Sequence, residues 1–210
     1  LAAREVIDAQ PEPPLLVAPA MATRLLGQRG WIRLYYGQTV AGRRPADLVD
    51  VISLHLYPLF GEPLERSEEL LTEGRRILGL QGVPADKPIW NTEINYSVRG
   101  GVPAPKISAE EQASNVARTF VLNAGRDVER VYWYSWDLHT IADTEMVSED
   151  GSTVTEAGQA LAQVRDWLLG TVPKGCVVTE EKTYVCTFEA PGEQTRTVFW
   201  NTQGETEIRT

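Results

Sequence analysis

Glu93 ends a short β-prone stretch, residues 88–94, that a proline introduces and that polar and aromatic residues follow. In sheets of parallel strands, the carboxyl ends of the strands form the floor of the active site. A buried strand seldom carries a carboxylate without a use for it, because the charge is costly to desolvate. The position of Glu93 therefore predicts a catalytic carboxylate. The structural alternative is a strand-end glutamate that pairs with a nearby arginine.

Two further strands of the predicted sheet also end in residues that could do chemistry. The strand that stops at Pro58 carries His55 and Tyr57, and a later aromatic strand ends with Trp136 and Asp137. Carboxyl ends of neighbouring parallel strands meet at one edge of a sheet. The sequence therefore predicts a carboxylate, a phenol, an imidazole and an indole at the same edge.

Alternation of side chains assigns faces to two of these strands. His55 and Tyr57 share one face of their strand, and Asn91 and Glu93 share one face of theirs. Aromatic residues occupy both faces of the third strand, so alternation assigns no face to Trp136.

The elements that position these residues alternate along the first 170 residues. Apolar strands are predicted to begin near residues 15, 51, 88 and 130, with helices between them. Two capping boxes mark helix starts, Ser108 with Glu111 and Thr153 with Glu156. Strands that alternate with helices indicate parallel βαβ units, here of the size found in (β/α)8 barrels.

Beyond Pro173 the pattern changes to short strands only, which predicts a separate small β element over residues 173–210. An incomplete element is left open as an alternative. Its two cysteines, Cys176 and Cys186, lie on two strands joined by a turn-like segment. They are predicted to form a disulfide, which implies an oxidising compartment. Two unpaired thiols are the alternative.

Composition excludes several classes of partner and cofactor. The net charge of −9 argues against binding to nucleic acid or to an anionic membrane. No apolar stretch approaches the roughly 20 residues that span a bilayer. No zinc-ligand spacing occurs, and no cofactor is predicted.

The order of three motifs resembles a known clan. His-x-Tyr-Pro, then Pro-Ile-Trp-x-Thr-Glu, then Trp-x-Ser-Trp-Asp is similar to strands six, seven and eight of the retaining (β/α)8 glycoside hydrolases, which include cellulases, mannanases and β-xylosidases. The resemblance covers about residues 15–170. It implies that residues 1–172 form strands five to eight of such a barrel with their helices, a half barrel, followed by the small β element.

The resemblance also implies a role for each residue at the strand ends. Glu93 matches the nucleophile of a double displacement, and Tyr57 matches the tyrosine that orients it. His55 matches a polar wall residue, and Trp136 matches the aromatic floor under the sugar. Further contacts with a carbohydrate substrate are expected from Asn95, Tyr96 and Asp137. A solvated loop is the alternative for Asp137 and for the nearby His139.

One part of the clan pattern has no counterpart in this chain. The acid/base glutamate of the clan follows an asparagine at the end of strand four, and no such strand is present. It is therefore expected on a missing N-terminal half. A half barrel leaves sheet edges and an apolar face uncovered, so the other half is expected as a separate polypeptide, or the chain pairs with itself.

Two rival functions remain open at this point. The chain could be a catalytically inactive sugar-binding barrel fragment. It could also be a divalent-metal-dependent barrel enzyme that uses His55, Glu93 and Asp137 as ligands.

The disulfide and the resemblance together predict a secreted, extracellular protein. The sugar, its linkage, and endo or exo action are not readable from the residues.

Overall fold

A computed structural model describes the chain over residues 1–59, 61–96, 107–137, 144–192 and 194–204. The chain divides into two compact units, residues 1–98 with 129–134 and residues 99–128 with 135–210. The first unit contains a parallel sheet and the second an antiparallel sheet. No helix in the described ranges is long and apolar enough to cross a bilayer.

The first unit is an α/β layer in which each strand lies beside its neighbour in the chain. All strands are parallel, in the order β1-β2-β3-β4. Its elements are α1 (Ala2–Asp8), β1 (Met21–Ala22), α2 (Leu26–Tyr36), α3 (Pro45–Leu48), β2 (Ile52–His55), α4 (Arg66–Leu80), β3 (Ile89–Ile94) and β4 (Arg130–Trp133).

Strand β2 lies in the core of this unit. Ile52, Ser53 and Leu54 are each 2% exposed or less, so both faces of the strand are covered, as is usual in parallel sheets. The Lys87 ammonium donates to the carbonyls of Ala46 and Val49 at 2.8 and 2.6 Å. This contact ties the start of β3 to the segment that leads into β2.

The first strand is displaced from the predicted position. A strand was expected over residues 15–20, but only Val17 forms an isolated bridge there, with Val51. The paired strand β1 begins at Met21. Prolines explain the shift, because Pro19 has no backbone N–H to donate to a ladder.

Strand β3 carries one extra residue near its carboxyl end. Leu54 pairs with Asn91, but the next residue of β2, His55, pairs with Glu93 and not with Thr92. The register against β4 also shifts between Asn91 and Ile94. Such a bulge re-aims the side chains that follow it and is common beside active sites.

The second unit combines two helices with a three-stranded antiparallel sheet of order β5-β6-β7. The elements are α5 (Ala109–Gly125), α6 (Glu156–Leu168), β5 (Val172–Val178), β6 (Thr183–Ala190) and β7 (Gln194–Asn201). The sheet spans residues 172–201, and the small β element is predicted over residues 173–210.

The helix caps agree with one prediction and correct another. Ser108 caps α5, since its hydroxyl accepts a hydrogen bond from the Glu111 backbone N–H. Helix α6 is capped by Thr155, whose hydroxyl accepts from the Gly158 N–H, and not by Thr153. Thr155 is the cap because it directly precedes the first helical residue, whereas Thr153 lies two residues further from the helix.

The predicted disulfide is present. Cys176 and Cys186 face each other as paired residues of β5 and β6, with their Cα atoms 4.0 Å apart. Gly125, the last residue of α5, packs on this bridge, and a Cβ at Gly125 would overlap the Cys176 sulfur. The disulfide is therefore part of the packing between α5 and the sheet.

Candidate active site

The candidate site lies at the carboxyl ends of β1, β2 and β3. Ala22 of β1 pairs with His55 of β2, and His55 pairs with Glu93 of β3. These parallel pairings bring three strand ends, distant in sequence, to one edge of the sheet. The bulge in β3 decides that Glu93, rather than Thr92, is the residue beside His55.

Tyr57 and Glu93 form the central contact of the site. The Tyr57 hydroxyl donates to Glu93 Oε1 at 2.8 Å. Tyr57 is 7% exposed, while the Glu93 side chain keeps 34% of its surface open. The phenol therefore fixes a carboxylate that is still accessible from solvent.

His55 stands on the other side of the same carboxylate. Its Nδ1 lies 3.6 Å from Glu93 Oε2, and its ring meets the Tyr57 ring edge-on at 6.3 Å. Burial lowers the pKa of His55 below its ordinary value, and this outweighs the Glu93 charge, which acts to raise it. His55 is therefore a neutral imidazole beside Glu93 at neutral pH.

This lowered pKa predicts a pH dependence of stability. Between the lowered pKa and the ordinary value of 6.5, the unfolded chain binds a proton on His55 that the folded chain does not. The free energy of unfolding should therefore fall as the pH drops below 6.5, and recover above it. Urea unfolding of the wild type at several pH values between about 5.5 and 7.5 measures this slope.

Two variants make the measurement specific, because the chain has only two histidines. His55→Gln should flatten the slope, while His139→Gln should leave the contribution of His55 in place. An unchanged slope in His55→Gln would contradict a lowered His55 pKa.

Tyr57 acts as a donor only. Burial, and then its hydrogen bond to Glu93, raise the pKa of Tyr57 far above its ordinary value. The phenol therefore stays protonated at every pH at which the fold would be used. A permanent O–H donor holds the Glu93 carboxylate in one orientation.

A layer of polar side chains beneath this contact holds the bulge. Asn91 is fully buried, and its Oδ1 accepts from the Leu56 N–H at 3.4 Å. The Thr92 and Ser53 hydroxyls are 2.6 Å apart and share a hydrogen bond. The Thr92 side chain is therefore hydrogen-bonded to β2, and the Glu93 side chain faces the site.

Asn95 and Tyr96, expected as substrate contacts, are buried in the structure at 1% and 6% exposure. The Asn95 amide donates to the Tyr134 carbonyl at 2.6 Å, and its oxygen accepts from the Tyr96 N–H. The Tyr96 ring packs on Trp133. These contacts shape the end of β3, and direct contact with a sugar stays a prediction for both residues.

The remaining residues considered as substrate contacts are Trp136, Asp137 and His139. Trp136 and Asp137 belong to the second unit, and both are exposed, Trp136 at 60%. The floor role of Trp136 and the substrate contact of Asp137 stay predictions. His139 lies outside the described residues.

The alternative metal site finds no support in the described part of the chain. Within those residues, no group of three or more His, Cys, Asp and Glu side chains is placed to hold a metal ion. Of the proposed ligands, His55 and Glu93 belong to the first unit and Asp137 to the second.

Arg24 is a site residue that the sequence reasoning missed. It follows β1 by two residues, and its guanidinium carbon lies 5.7 Å from the centroid of the Tyr57 ring. The signal was available, since a cation just beyond a strand end fits the pattern of His55 and Glu93. It was missed because the strand was expected to end at residue 20.

Comparison with solved structures gives two matches, both to endo-β-1,3-glucanases. One is a GH128 subgroup I enzyme from Amycolatopsis mediterranei, solved as a mutant with laminaripentaose, at 26% identity and a TM-score of 0.46. The other is a GH128 subgroup II enzyme from Sorangium cellulosum, at 20% identity and a TM-score of 0.43. The matches cover 70% and 77% of this chain, and 56% and 59% of those chains. This chain thus spans less than two thirds of their length.

Comparison with curated proteins found no match. A family match does exist, over residues 6–161, to the family described as glycosyl hydrolase catalytic core. This range contains β1 to β4 and the three strand ends that meet at Glu93. Since the match runs through most of its length, the chain belongs to the glycosyl hydrolase catalytic core family.

Proposed function

We propose that this chain carries the nucleophile side of a retaining glycosidase that hydrolyses a poly- or oligosaccharide, with Glu93 as the nucleophile. The observation that carries the proposal is the 2.8 Å hydrogen bond from Tyr57 to a partly open Glu93 at the carboxyl end of β3. The family match supports a glycosidase, and this contact supports the nucleophilic role.

The proposed reaction has two displacements. Glu93 attacks the anomeric carbon, the bond to the leaving oxygen breaks, and that oxygen takes a proton from a second carboxyl group. Water, deprotonated by the same group, then displaces Glu93 from the sugar. Throughout, Tyr57 holds one carboxylate oxygen so that the other points at the anomeric carbon. Neutral His55 lines the site without adding a competing charge.

We place the second carboxyl group on the N-terminal half of a barrel of which residues 1–172 supply strands five to eight. The sequential parallel order β1-β2-β3-β4 supports this, because doubly wound sheets reverse their strand order whereas barrels do not. That half, or a second copy of this chain, would cover the open edge of the sheet. A homogeneous 23.3 kDa monomer at every concentration in native mass spectrometry would contradict this association.

We also propose that the protein works outside the cell. The Cys176–Cys186 disulfide supports this location, because disulfides persist in oxidising compartments. Release of the protein into the culture medium by the organism that makes it would test the location. Confinement to the reducing cytosol would contradict it.

Covalent labelling tests the catalytic proposal. A 2-deoxy-2-fluoro glycoside with a dinitrophenolate leaving group needs no protonation to react, so it reports on the nucleophile even where the acid is absent. Incubation with gluco, manno and xylo probes should give one adduct by intact mass, mapped to the peptide that contains Glu93. Glu93→Gln is the control and should stay unlabelled.

Two outcomes would count against the proposal. An adduct on another residue would identify that residue, and not Glu93, as the nucleophile. Reversible binding of oligosaccharides without any adduct would favour the alternative, a sugar-binding protein that lacks the chemistry.

A further inference from the structure

Arg24 stands in register with the residues of the candidate site. Met21 pairs with Leu54 and Ala22 with His55, and Arg24, two residues beyond the end of β1, lies beside Tyr57. The guanidinium carbon lies 5.7 Å from the centroid of the Tyr57 ring, within the range of a cation–π contact. Arg24 thus touches the residue that holds Glu93.

The guanidinium of Arg24 has nothing else to bind in the described structure. Its Nε is buried and has no hydrogen-bond partner among the described residues, and Arg24 forms no ion pair with any of them. A buried donor without a partner is destabilising, because it has lost its hydrogen bonds to water and gained none. A half-buried cation held in this state needs an explanation.

Two other half-buried arginines of the described chain, Arg29 and Arg44, do not share this state. Arg29, five residues on, donates to the Thr23 carbonyl at 2.6 Å and lies 3.8 Å from Glu73. Arg44 also has a buried Nε without a partner among the described residues, but its Nη2 donates to the carbonyls of Gln81 and Gly82. Of these three arginines, Arg24 alone makes no hydrogen bond within the described residues.

We infer that Arg24 is a substrate-binding residue, which donates hydrogen bonds to hydroxyl oxygens of the neutral sugar unit bound beside Glu93. The inference rests on the proposed function of Glu93. A guanidinium has five N–H donors and no acceptor, and sugar hydroxyl oxygens are acceptors that would satisfy them. The bound sugar would thus complete a polar group that the fold leaves incomplete.

The charge around the site favours a neutral sugar over a uronate. A sugar carboxylate on Arg24 would lie near Glu93, which Tyr57 links to Arg24, and two neighbouring carboxylates repel each other. The net charge of −9 also repels an anionic polymer. Glu93 and the net charge, rather than the Arg24 guanidinium, would therefore favour uncharged chains.

Oligosaccharide binding together with thermal unfolding tests the inference. Calorimetric titration uses cello-, manno-, xylo- and laminaripentaose, with trigalacturonate as the anionic probe. Arg24→Met should weaken binding of the neutral pentaose by about 10- to 100-fold, because a hydrogen bond from a charged donor is lost. Its melting temperature should not fall, since the variant removes an unpaired buried group.

Two variants separate binding from structure. Arg24→Lys keeps the charge over Tyr57 but lacks the planar fork, so it should recover only part of the affinity. Arg29→Met removes a guanidinium that the fold does use, and it should lower the melting temperature without changing the affinity. The contrast between Arg24→Met and Arg29→Met is the readout that a merely structural Arg24 would not produce.

The outcomes distinguish this inference from the function on which it rests. Unchanged affinity in Arg24→Met, a fall in its melting temperature like that of Arg29→Met, or no pentaose binding by the wild type would overturn the inference. Tighter binding of trigalacturonate than of any pentaose would overturn the neutral sugar. A Glu93 adduct with unchanged Arg24→Met affinity would reject only the role of Arg24. Weaker pentaose binding by Arg24→Met, without a covalent adduct on Glu93, would keep the binding role of Arg24 and reject Glu93 as the nucleophile.

Discussion

Replacing Glu93 with glycine should lower the release of dinitrophenol from an aryl glycoside by at least about 10⁴-fold, and sodium azide should restore part of it. The loss is large because the carboxylate forms the covalent bond to the sugar in the proposed mechanism. The aryl leaving group departs without a proton, so the assay isolates the role of Glu93. Initial rates with and without azide are the measurement.

The product of the rescue identifies which role Glu93 has. Azide entering the space left by the side chain attacks the anomeric carbon from the same side, forms the carbon–nitrogen bond and expels the aryl oxide. A single displacement gives a glycosyl azide of inverted configuration, which proton NMR distinguishes. A glycosyl azide of retained configuration would instead mark Glu93 as the acid/base group.

A matched control separates this effect from a general loss of charge. Glu110, in the exposed first turn of α5, can be replaced with glutamine without touching the site. Glu110→Gln should keep the full rate. A Glu93→Gly protein that hydrolyses the aryl glycoside at the wild-type rate would end the nucleophile assignment.

Tyr57→Phe is expected to slow formation of the covalent adduct by about 10- to 100-fold. The variant keeps the ring, its packing and its contact with Arg24, and removes only the O–H donor to Glu93 at 2.8 Å. A hydrogen bond to a charged group contributes about 1.5–3 kcal/mol, which corresponds to this loss of rate if it acts in the transition state. The rate of labelling by the 2-fluoro glycoside is the measurement.

Tyr36 offers a control within the same unit. Its ring is 2% exposed and its hydroxyl is buried, with no hydrogen-bond partner among the described residues. Tyr36→Phe should therefore leave the labelling rate unchanged and cost little or no stability. Equal labelling rates for Tyr57→Phe and the wild type would show that the phenol does not aim the carboxylate.

Local patterns were enough to predict most of the elements that position the site. Residues close together in the chain predicted the apolar runs that are β2, β3 and β4. They also predicted the helix between β2 and β3, which is α4, and the cap of α5 at Ser108. The disulfide could also be predicted locally, because its two cysteines lie on neighbouring strands joined by a single turn. The motif order added the contact between Tyr57 and Glu93, which the structure contains.

Other features could not be read locally. The chain between Pro14 and Met21 is apolar enough to predict a strand at 15–20, and only the ladder with β2 shows that pairing occurs at Met21 and Ala22. Arg24 went unnoticed for this reason. The burial of Asn95 depends on the Tyr134 carbonyl, 39 residues away in the sequence.

By itself, the sequence determined which chemical groups stand at the strand ends, because strand boundaries and residue types are local properties. Tertiary structure alone decided which of those groups meet. Strict alternation in the register of Ser53 with Trp90 would have put Thr92 beside His55 and turned Glu93 to the opposite face. The extra residue in β3, held by the bond between Thr92 and Ser53, reverses that outcome. Register depends on hydrogen bonds between strands far apart in the chain, which no local pattern contains.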